Sequence, residues 1–334
     1  MTRETVKRLA RECGFELAGV AAAEPAADFA RYREWAEKGF AGEMKYLTDR
    51  RAEVRRDPRN LLKSARSMIC VGKLYNTPGT TEGISRYAWG ADYHHVMRDG
   101  MARMVVRLED EAGPFEHKIC VDTAPLLERS YAREAGLGWI GKNTCLIHEP
   151  LGSWFFLGEI LTSLEMEPDA PPPDRCGTCT RCIDACPTEA LVPADDGQWT
   201  LDSRRCISYL TIELRGAIPE ERREEMGSHI FGCDICQDVC PWNSRAPVTE
   251  EAAFFSRHHR PLENFAKLPA EVFHHISRDS PIARVKHSGM LRNIAVAMGN
   301  SGDDRFRAPL EDLATSPDEM VAEHARWGLR KLLE

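Results

Sequence analysis

Two cysteine runs in the middle third of this 334-residue chain decide its fold: Cys176-Gly-Thr-Cys179-Thr-Arg-Cys182-Ile-Asp-Ala-Cys186-Pro187 and Cys233-Asp-Ile-Cys236-Gln-Asp-Val-Cys240-Pro241. Three closely spaced thiolates can wrap three corners of an iron–sulfur cubane, while the fourth, followed by proline, turns away to reach a second cubane. The spacing therefore predicts two 4Fe–4S clusters. The assignment is Cys176, Cys179, Cys182 and Cys240 for the first cluster, and Cys186, Cys206, Cys233 and Cys236 for the second, with Cys206 replacing the thiolate that the shorter run lacks.

The competing interpretation of these runs is a pair of zinc sites, because CxxC pairs also hold structural zinc. Zinc requires neither the full CxxCxxCxxxCP run nor a proline after each last cysteine, so the clusters are favoured. The other four cysteines lie in apolar contexts and are expected to be ordinary buried residues: Cys13, Cys70, Cys120 and Cys145.

Length and composition describe an ordinary globular protein of about two domains, with 43% hydrophobic and 29% charged residues. The charged start offers no apolar run for a secretory signal, and no segment approaches the roughly 20 apolar residues of a membrane span. We therefore expect a cytoplasmic protein without a membrane partner, and in a reducing cytosol its twelve cysteines are better explained by metal ligation than by disulfides. The net charge of −8 argues against a general nucleic-acid binder, although local basic patches can override it.

Helical and strand patterns alternate over residues 1–166 and predict an α/β layer structure. The predicted elements are a helix at 28–39 capped by Asp28, buried strands at 67–72 and 118–122, a helix at 124–136, and a hairpin whose strands flank Glu149-Pro-Leu-Gly152. A proline-rich linker follows at 167–174. Beyond it we expect a ferredoxin-like domain at 174–245, a basic connector at 246–287, and three tail helices at 288–334 that resemble one HEAT-like repeat.

Clusters move single electrons, so a cluster module behind an α/β domain implies a second cofactor or substrate site there. No Gly-x-Gly-x-x-Gly follows a strand, which leaves a dinucleotide fold without support. The glycines of Gly136-Leu-Gly-Trp-Ile-Gly141 are expected to let the backbone pass close to a flat ligand. Two polar segments are candidates for the site, Ser85 to His95 and the carboxylate Asp122 at a strand end. Asp122 could equally cap a helix, and the two histidines at 94 and 95 could be surface or core residues.

Several stretches together closely resemble the epoxyqueuosine reductase family, cobalamin-dependent iron–sulfur enzymes that complete the queuosine base in tRNA. The matching stretches are Trp89-Gly-x-Asp-Tyr-His94, Val121-Asp-Thr-Ala-Pro-Leu-Leu-Glu-Arg129, Gly138-Trp-Ile-Gly-Lys-Asn143, the first cysteine run, Arg205-Cys-Ile-Ser-Tyr-Leu210 and Gly232-Cys-Asp-Ile-Cys-Gln237. Each stretch alone is a weak signal, but their combination in this order is specific. The resemblance spans nearly the whole chain.

The resemblance implies an α/β N-terminal domain that binds cobalamin, a ferredoxin-like domain with two 4Fe–4S clusters, and a short HEAT-like helical tail. Cob(I)alamin would be the reductant, and Asp122 matches the family's proton donor. To donate at neutral pH that carboxyl must be protonated, and burial beside the corrin could raise its pKa. The positions that match cobalamin contacts are Arg55, Ser85, Asp122, Leu146, Leu157, Ser208 and Asp234. Ser85 departs from relatives that carry cysteine there.

The implied substrate is the anticodon loop of a tRNA with epoxyqueuosine at the wobble position, splayed out to reach the corrin. Arg215 and the stretch from Arg257 to Arg292, with seven Lys or Arg against three acids, are candidates for phosphate contact. That stretch could instead be a solvated linker. We expect a monomer that receives electrons from an unidentified low-potential donor.

Two other functions compete with this one. A reductive dehalogenase also joins cobalamin to two clusters, but those enzymes usually carry a twin-arginine export signal, which does not begin this chain. A ferredoxin-type electron carrier would need neither Asp122 nor the segment from Trp89 to His94.

Overall fold

The computed structural model describes residues 1–79, 83–257 and 261–333. Its strands are Leu17–Ala22 (β1), Ser67–Leu74 (β2), His117–Cys120 (β3), Trp139–Ile140 (β4), Leu146–Ile147 (β5), Phe155–Thr162 (β6), Leu191–Pro193 (β7) and Trp199–Leu201 (β8). Four of them form a sheet in the order β1-β2-β6-β3, in which each neighbouring pair is antiparallel. The others form two-stranded ribbons, β4 with β5 and β7 with β8.

Helices surround the sheet and continue to the end of the chain. They are Arg3–Glu12 (α1), Phe29–Glu37 (α2), Arg51–Val54 (α3), Tyr93–Ala112 (α4), Glu128–Glu134 (α5), Arg181–Asp184 (α6), Ile207–Ile212 (α7), Glu220–Arg223 (α8), Ile235–Asp238 (α9), Leu262–Ala266 (α10), Ala270–Ser277 (α11), Lys286–Asn300 (α12), Arg307–Ala314 (α13) and Glu319–Lys331 (α14). None of these described helices is both long and apolar enough to span a membrane.

The central strand β2 explains the layering, because all eight of its residues are buried. Side chains alternate along a strand, so Ile69 and Val71 pack under α1 and α4, while Met68 and Cys70 face α5 on the opposite side. The predicted α/β layers are therefore present. The sheet is antiparallel, however, so the argument that ligands gather at the carboxyl ends of parallel strands does not apply to Asp122.

The hairpin predicted around residues 149–152 is wrong in its pairing. His148 and Gly152 do form an antiparallel bridge, but β5 pairs with β4, and β6 pairs with β2 and β3. The reason is that β6 is buried on both faces along nearly its whole length, which suits the interior of the main sheet rather than a two-stranded ribbon.

One predicted helix start is confirmed and one differs. Helix α2 begins at Phe29 with Asp28 in the N-cap position, but the Asp28 carboxylate makes no capping hydrogen bond; it accepts one from Ser130 and pairs with Arg133 at 3.1 Å. The helix predicted from Ala124 begins at Glu128, and residues 123–127 form a turn that keeps the segment after β3 out of the helix.

Three helices occur in the tail where the sequence periodicity predicts them, namely α12, α13 and α14. Their apolar faces share one core with the rest of the chain, because Ile294 and Met298 of α12 lie in the same cluster as Ile84, Trp89 and Phe231. The tail is therefore packed against the segments that precede and carry the second cysteine run.

Candidate active site and cluster sites

The first group of cysteines lines a cavity of about 240 Å³. Its wall contains the four thiols that the spacing assigns to the first cluster, Cys176, Cys179, Cys182 and Cys240, together with Lys142, Asn143 and Trp242. Burial, and then repulsion from Cys176 and Cys240, raise the pKa of Cys182 to about 11. Four thiols from both runs around one cavity are the arrangement that a cubane requires.

The second group of cysteines lies deeper in the protein. Cys206 and Cys186 lie close enough to Cys233 for their charges to raise its pKa. Cys206 and Cys233 have the same effect on the pKa of Cys236. Burial is the main reason that the pKa of Cys233 rises to about 12. The bare thiols are thus protonated at neutral pH, so cluster assembly must release protons.

Backbone amides point at the sulfur atoms of the second group. The amide of Ala190 donates to Cys186 Sγ at 3.3 Å, and the amides of Ser208 and Tyr209 donate to Cys206. Such donors stabilise bound thiolates and help to set a cluster's reduction potential. The residues present therefore fit two 4Fe–4S clusters, and the division of the cysteines between them remains a prediction.

The stretch Gly138 to Asn143 connects the α/β region to both cysteine groups. Lys142 Nζ donates to the carbonyls of Gly177 and Cys179 at 2.8 and 2.9 Å, and Asn143 Nδ2 donates to the carbonyl of Cys236 at 3.3 Å. One of these glycines is required by a close approach within the protein itself. A Cβ on Gly138 would lie 2.3 Å from the carbonyl oxygen of Ile147, so the close approach of β5 is what requires glycine there.

Two of the residues predicted to contact cobalamin, Ser85 and Asp234, are hydrogen-bonded to each other. The Ser85 hydroxyl donates to the Asp234 carboxylate, and the Arg86 amide donates to the same carboxylate at 2.7 Å. The Ser85 amide also donates to the carbonyl of Phe231 at 2.7 Å. Asp234 follows Cys233, so these bonds connect the segment of Ser85 directly to a thiol of the second group.

The remaining predicted cobalamin positions are spread over several elements. Leu146 is buried in β5, Leu157 is partly buried in β6, and Ser208 opens α7 beside Cys206. Arg55 is buried, donates to the carbonyl of Arg51 at 3.0 Å and lies over a tyrosine ring. Within the described part of the chain, Arg55 forms no hydrogen bond to the other proposed cobalamin positions.

Asp122 lies just beyond β3 in a left-handed backbone conformation, with φ of +49°. Its amide donates to Glu128 Oε1 at 2.6 Å, and its own side chain caps no helix. The alternative role as a helix cap is therefore wrong. The Asp122 side chain is 45% accessible, and we call the region around it the candidate cofactor cleft.

A chain of charged groups ends at Asp122. Asp92 Oδ1 lies 2.7 Å from Nδ1 of His94, and Nε2 of His94 lies 3.3 Å from Oδ2 of Asp122. The His94 ring is held in place by stacking on Tyr93, at 4.3 Å between ring centres, and Tyr93 stacks on Phe156 at 4.2 Å. The two histidines of the segment differ in this respect, because His95 is exposed.

This chain of groups changes the expected ionisation of Asp122. Burial alone would raise the pKa of Asp122, but the hydrogen bond from His94 and the charges of His94 and Arg284 outweigh burial and hold that pKa below its usual value. Burial likewise opposes the charged form of His94, yet its bonds to Asp122 and Asp92 raise the pKa of His94 to about 9. Without a bound corrin or substrate, these pKa shifts favour the carboxylate form of Asp122 and the protonated form of His94.

Several charged and aromatic groups from distant parts of the chain face the same cleft. Arg284 lies over the Tyr46 ring at 5.4 Å and its Nε donates to Glu213 at 2.6 Å. Tyr87 is near enough to Asp122, Arg284 and Asp234 to feel their charge. Charged and aromatic groups of this region thus link Asp122 to the Asp234 segment.

Arg215 is exposed beside this cleft. Its Nη1 donates to the carbonyl of Arg284 at 2.9 Å, and its amide donates to Glu43 at 3.2 Å. The basic stretch from 257 to 292 is not a uniform surface, because Arg292 is fully buried and cannot reach a phosphate. Residues 258–260 of that stretch lie outside the described residues.

Sequence reasoning named the segment that contains His94 but gave that histidine no role beside Asp122, and it missed two other parts of the site. Glu128 and Glu159 form a buried carboxyl pair near Asp122: burial raises the pKa of Glu128 to about 7 and lifts that of Glu159 well above its usual value. Cys145, expected to be an ordinary buried residue, lies against Cys236.

Two electron-transfer clusters beside an acid–base pair define an iron–sulfur oxidoreductase. A family model described as "4Fe-4S double cluster binding domain" matches residues 175–243, and one described as "Epoxyqueuosine reductase QueG, DUF1730" matches residues 55–123. The chain belongs to the epoxyqueuosine reductase family, since the epoxyqueuosine reductase of Xanthomonas campestris pv. campestris is 42% identical over 97% of this chain and 94% of its own length. As a member of this family, its cofactors are two 4Fe–4S clusters and cobalamin.

Solved structures agree with this assignment. A crystal structure of epoxyqueuosine reductase with a tRNA-Tyr epoxyqueuosine-modified stem loop superposes with a TM-score of 0.89 at 29% identity, covering 99% of this chain and 90% of that one. The Bacillus subtilis enzyme, with its catalytic aspartate loop swung out of the active site, gives a TM-score of 0.82 at 26% identity and covers 98% of both chains.

Proposed function

We propose that this chain reduces epoxyqueuosine to queuosine at the wobble position of a tRNA anticodon loop. The observation that carries the proposal is that Tyr87 lies near both Asp122 and Asp234, and that Asp234 is the neighbour of the predicted cluster ligand Cys233. A redox cofactor in the candidate cofactor cleft would contact the electron supply on one side and a proton donor on the other. Bound cobalamin supplies a strongly reducing cobalt centre there.

The residues that would hold the corrin come from both halves of the cleft. Asp234 and Ser85 form a fixed edge next to the second cluster, because the serine hydroxyl and the Arg86 amide both donate to the carboxylate. Leu146, Leu157, Ser208 and Arg55 are the further contacts that we propose from the family resemblance. The four cysteines around the outer cavity bind the first cluster, and Cys186, Cys206, Cys233 and Cys236 bind the second.

Asp122 is the group that delivers a proton to the epoxide oxygen. Its Oδ2 faces the cleft, and its backbone amide donates a single hydrogen bond to Glu128. The loop can therefore change position without breaking a helix. A swung-out catalytic loop in the Bacillus subtilis relative supports this mobility. Removal of the oxygen as water requires this protonation because an alkoxide is a poor leaving group.

The substrate reaches the site as an RNA loop. The relative crystallised with an epoxyqueuosine-modified stem loop supports tRNA as the substrate. Arg215 is exposed at the rim of the cleft, where a phosphate of a splayed-out wobble nucleotide would pass. A reductive dehalogenase or a simple electron carrier is disfavoured, because the 42% identical relative of nearly equal length has a different named activity.

Further proposals follow from the sequence alone. We propose a cytoplasmic monomer served by a low-potential electron donor, and a tail of the HEAT-like type. The proposed domains are 1–166, 174–245, 246–287 and 288–334.

The test uses anaerobically purified protein with both clusters and cobalamin, a chemical reductant, and tRNA isolated from cells that lack this enzyme. Nucleoside mass spectrometry should detect conversion of epoxyqueuosine to queuosine. Asp122→Asn should reduce the rate by about 100-fold or more, as expected for loss of a general acid, while the visible spectrum of the cofactors stays unchanged. His95→Gln is the matched control, because His95 is exposed next to the site.

Two outcomes would contradict the proposal in different ways. Absence of queuosine with fully loaded wild-type protein would remove the tRNA activity. Full activity in Asp122→Asn would instead leave the activity intact and remove Asp122 as the donor.

A further inference from the structure

We propose that His94 holds the proton that Asp122 delivers to the substrate oxygen, so that the two side chains act as one proton carrier oriented by Asp92. The inference rests on the proposed function and adds two residues to it. Its basis is the unbroken series of contacts at 2.7 Å from Asp92 to His94 and 3.3 Å from His94 to Asp122.

The geometry fixes the direction in which the proton can move. Asp92 caps α4 by accepting the backbone amide of His94 at 3.0 Å, and the same Oδ1 faces Nδ1 of the imidazole. A carboxylate on Nδ1 keeps the proton on that nitrogen, so Nε2 is the nitrogen that exchanges a proton with Asp122. Stacking between Tyr93 and the imidazole prevents the ring from turning away.

The charges around the pair favour a proton on the imidazole in the resting protein. Asp92 from α4 and Asp122 from the loop after β3 both face His94 and stabilise its positive form. Arg284, which precedes α12, and Tyr93 act on Asp122 and favour its carboxylate form. Glu128 of α5 lies on the other side of Asp122, and burial together with the Asp122 charge favours a proton on Glu128.

The reaction needs two protons for each epoxide. Both C–O bonds break, a C=C bond forms, two electrons enter and the oxygen leaves as water. The pair supplies one proton: the Nε2–H bond of His94 breaks, the proton passes to Oδ2 of Asp122, and from there it moves to the epoxide oxygen. Solvent water supplies the second proton and later recharges His94, whose side chain is 21% accessible.

A carboxylate that is ionised at rest can act as a donor only if its proton is stored nearby. His94 provides that store without requiring Asp122 to be neutral before the substrate arrives. The developing negative charge on the epoxide oxygen then draws the proton across the pair. This explains how a carboxyl group with a lowered pKa can still protonate the substrate.

The first test measures His94 directly and does not depend on turnover. Protein with both clusters and oxidised cobalamin is labelled with 15N-histidine, and its ring nitrogen signals are followed against pH; His94→Gln identifies the signals of His94. The expected midpoint is near pH 9, and it should fall towards about 6.5 in Asp122→Asn and in Asp92→Asn. His95→Gln should leave it unchanged. A wild-type midpoint near 6.5 would overturn the inference.

The second test measures the pH profile of single-turnover reduction. The wild-type rate should be level through neutral pH and decline above about pH 9, where the imidazolium is lost. His94→Gln should lower the rate by about 100-fold and abolish that decline, with unchanged affinity for the modified stem loop. If His94→Gln turns over at the wild-type rate, this inference fails while the proposed function stands. If the wild type produces no queuosine, the function fails, and the titration still decides whether the pair shares a proton.

Discussion

Replacing Arg292 by methionine tests whether the helical tail is an integral part of the protein. Arg292 is fully buried in α12, and its guanidinium donates to the carbonyls of Leu210, Leu214 and Gly216 at 2.6 to 2.9 Å. Those carbonyls belong to α7 and the turn after it, directly downstream of Cys206. The guanidinium also donates two hydrogen bonds to the side-chain oxygen of Asn293.

Two opposing effects set the size of the change. Leaving one buried carbonyl and two partly buried ones without donors costs roughly 6 kcal/mol at about 2 kcal/mol each. Removal of a buried charge returns about 3 kcal/mol, since burial lowers the pKa of Arg292 from 12.5 to about 10. The loss of the hydrogen bonds is the larger of the two effects, so the free energy of unfolding should fall by about 3 kcal/mol.

The assay is thermal unfolding of the cluster-loaded protein under anaerobic conditions, at one scan rate and one protein concentration. The apparent Tm of Arg292→Met should fall by roughly 6 °C, at about 2 °C per kcal/mol for a chain of this size. Arg326→Met is the matched control, because Arg326 is a half-exposed α14 residue paired only at the surface, and its Tm should change by about 1 °C or less. An equally small change in Arg292→Met would refute the reasoning.

Two further substitutions examine the cluster and cofactor sites. Cys206→Ser should remove the second cluster and keep the first, so bound iron should fall by about half. Cys13→Ser is the control and should leave the iron content unchanged. Full iron content in Cys206→Ser would exclude Cys206 as a ligand. Gly232→Ala should weaken cobalamin binding at least 10-fold in a spectroscopic titration, because a Cβ there would lie 2.5 Å from the Cβ of Ser85. Gly302→Ala has a similar positive φ but open surroundings, so it should bind cobalamin normally, and equal binding in both variants would disprove the steric argument.

The sequence carried enough information for the cysteine groups because spacing along a short loop limits where thiolates can go. The same is true of β2 and of the tail helices, whose apolar patterns are local and strong. The pairing of β6 was not predictable in this way. Its apolar run is equally compatible with a hairpin and with the interior of a sheet, and only the competition among all strands for that interior decides between them.

The acid–base site shows a different limit of sequence reasoning. The family resemblance identified Asp122, but the ionisation of its carboxyl depends on His94, which is distant in sequence and reaches it only after α4 and β3 pack together. Burial favours the neutral carboxyl, and a partner within hydrogen-bond distance favours the charged one. Which effect is larger is a property of the folded arrangement and of what is bound there, so the sequence alone could not give the ionisation of Asp122.

The sharing of thiols between the two cysteine runs has a consequence for the biosynthesis of the protein. The outer cavity is lined by three thiols from the first run and by Cys240 from the second. A nascent chain that has emerged only as far as Pro187 therefore has three of the four thiols for that cavity. Iron delivery to a complete pocket must wait until translation has passed Cys240, so the scaffold for both metal centres matures in one late step.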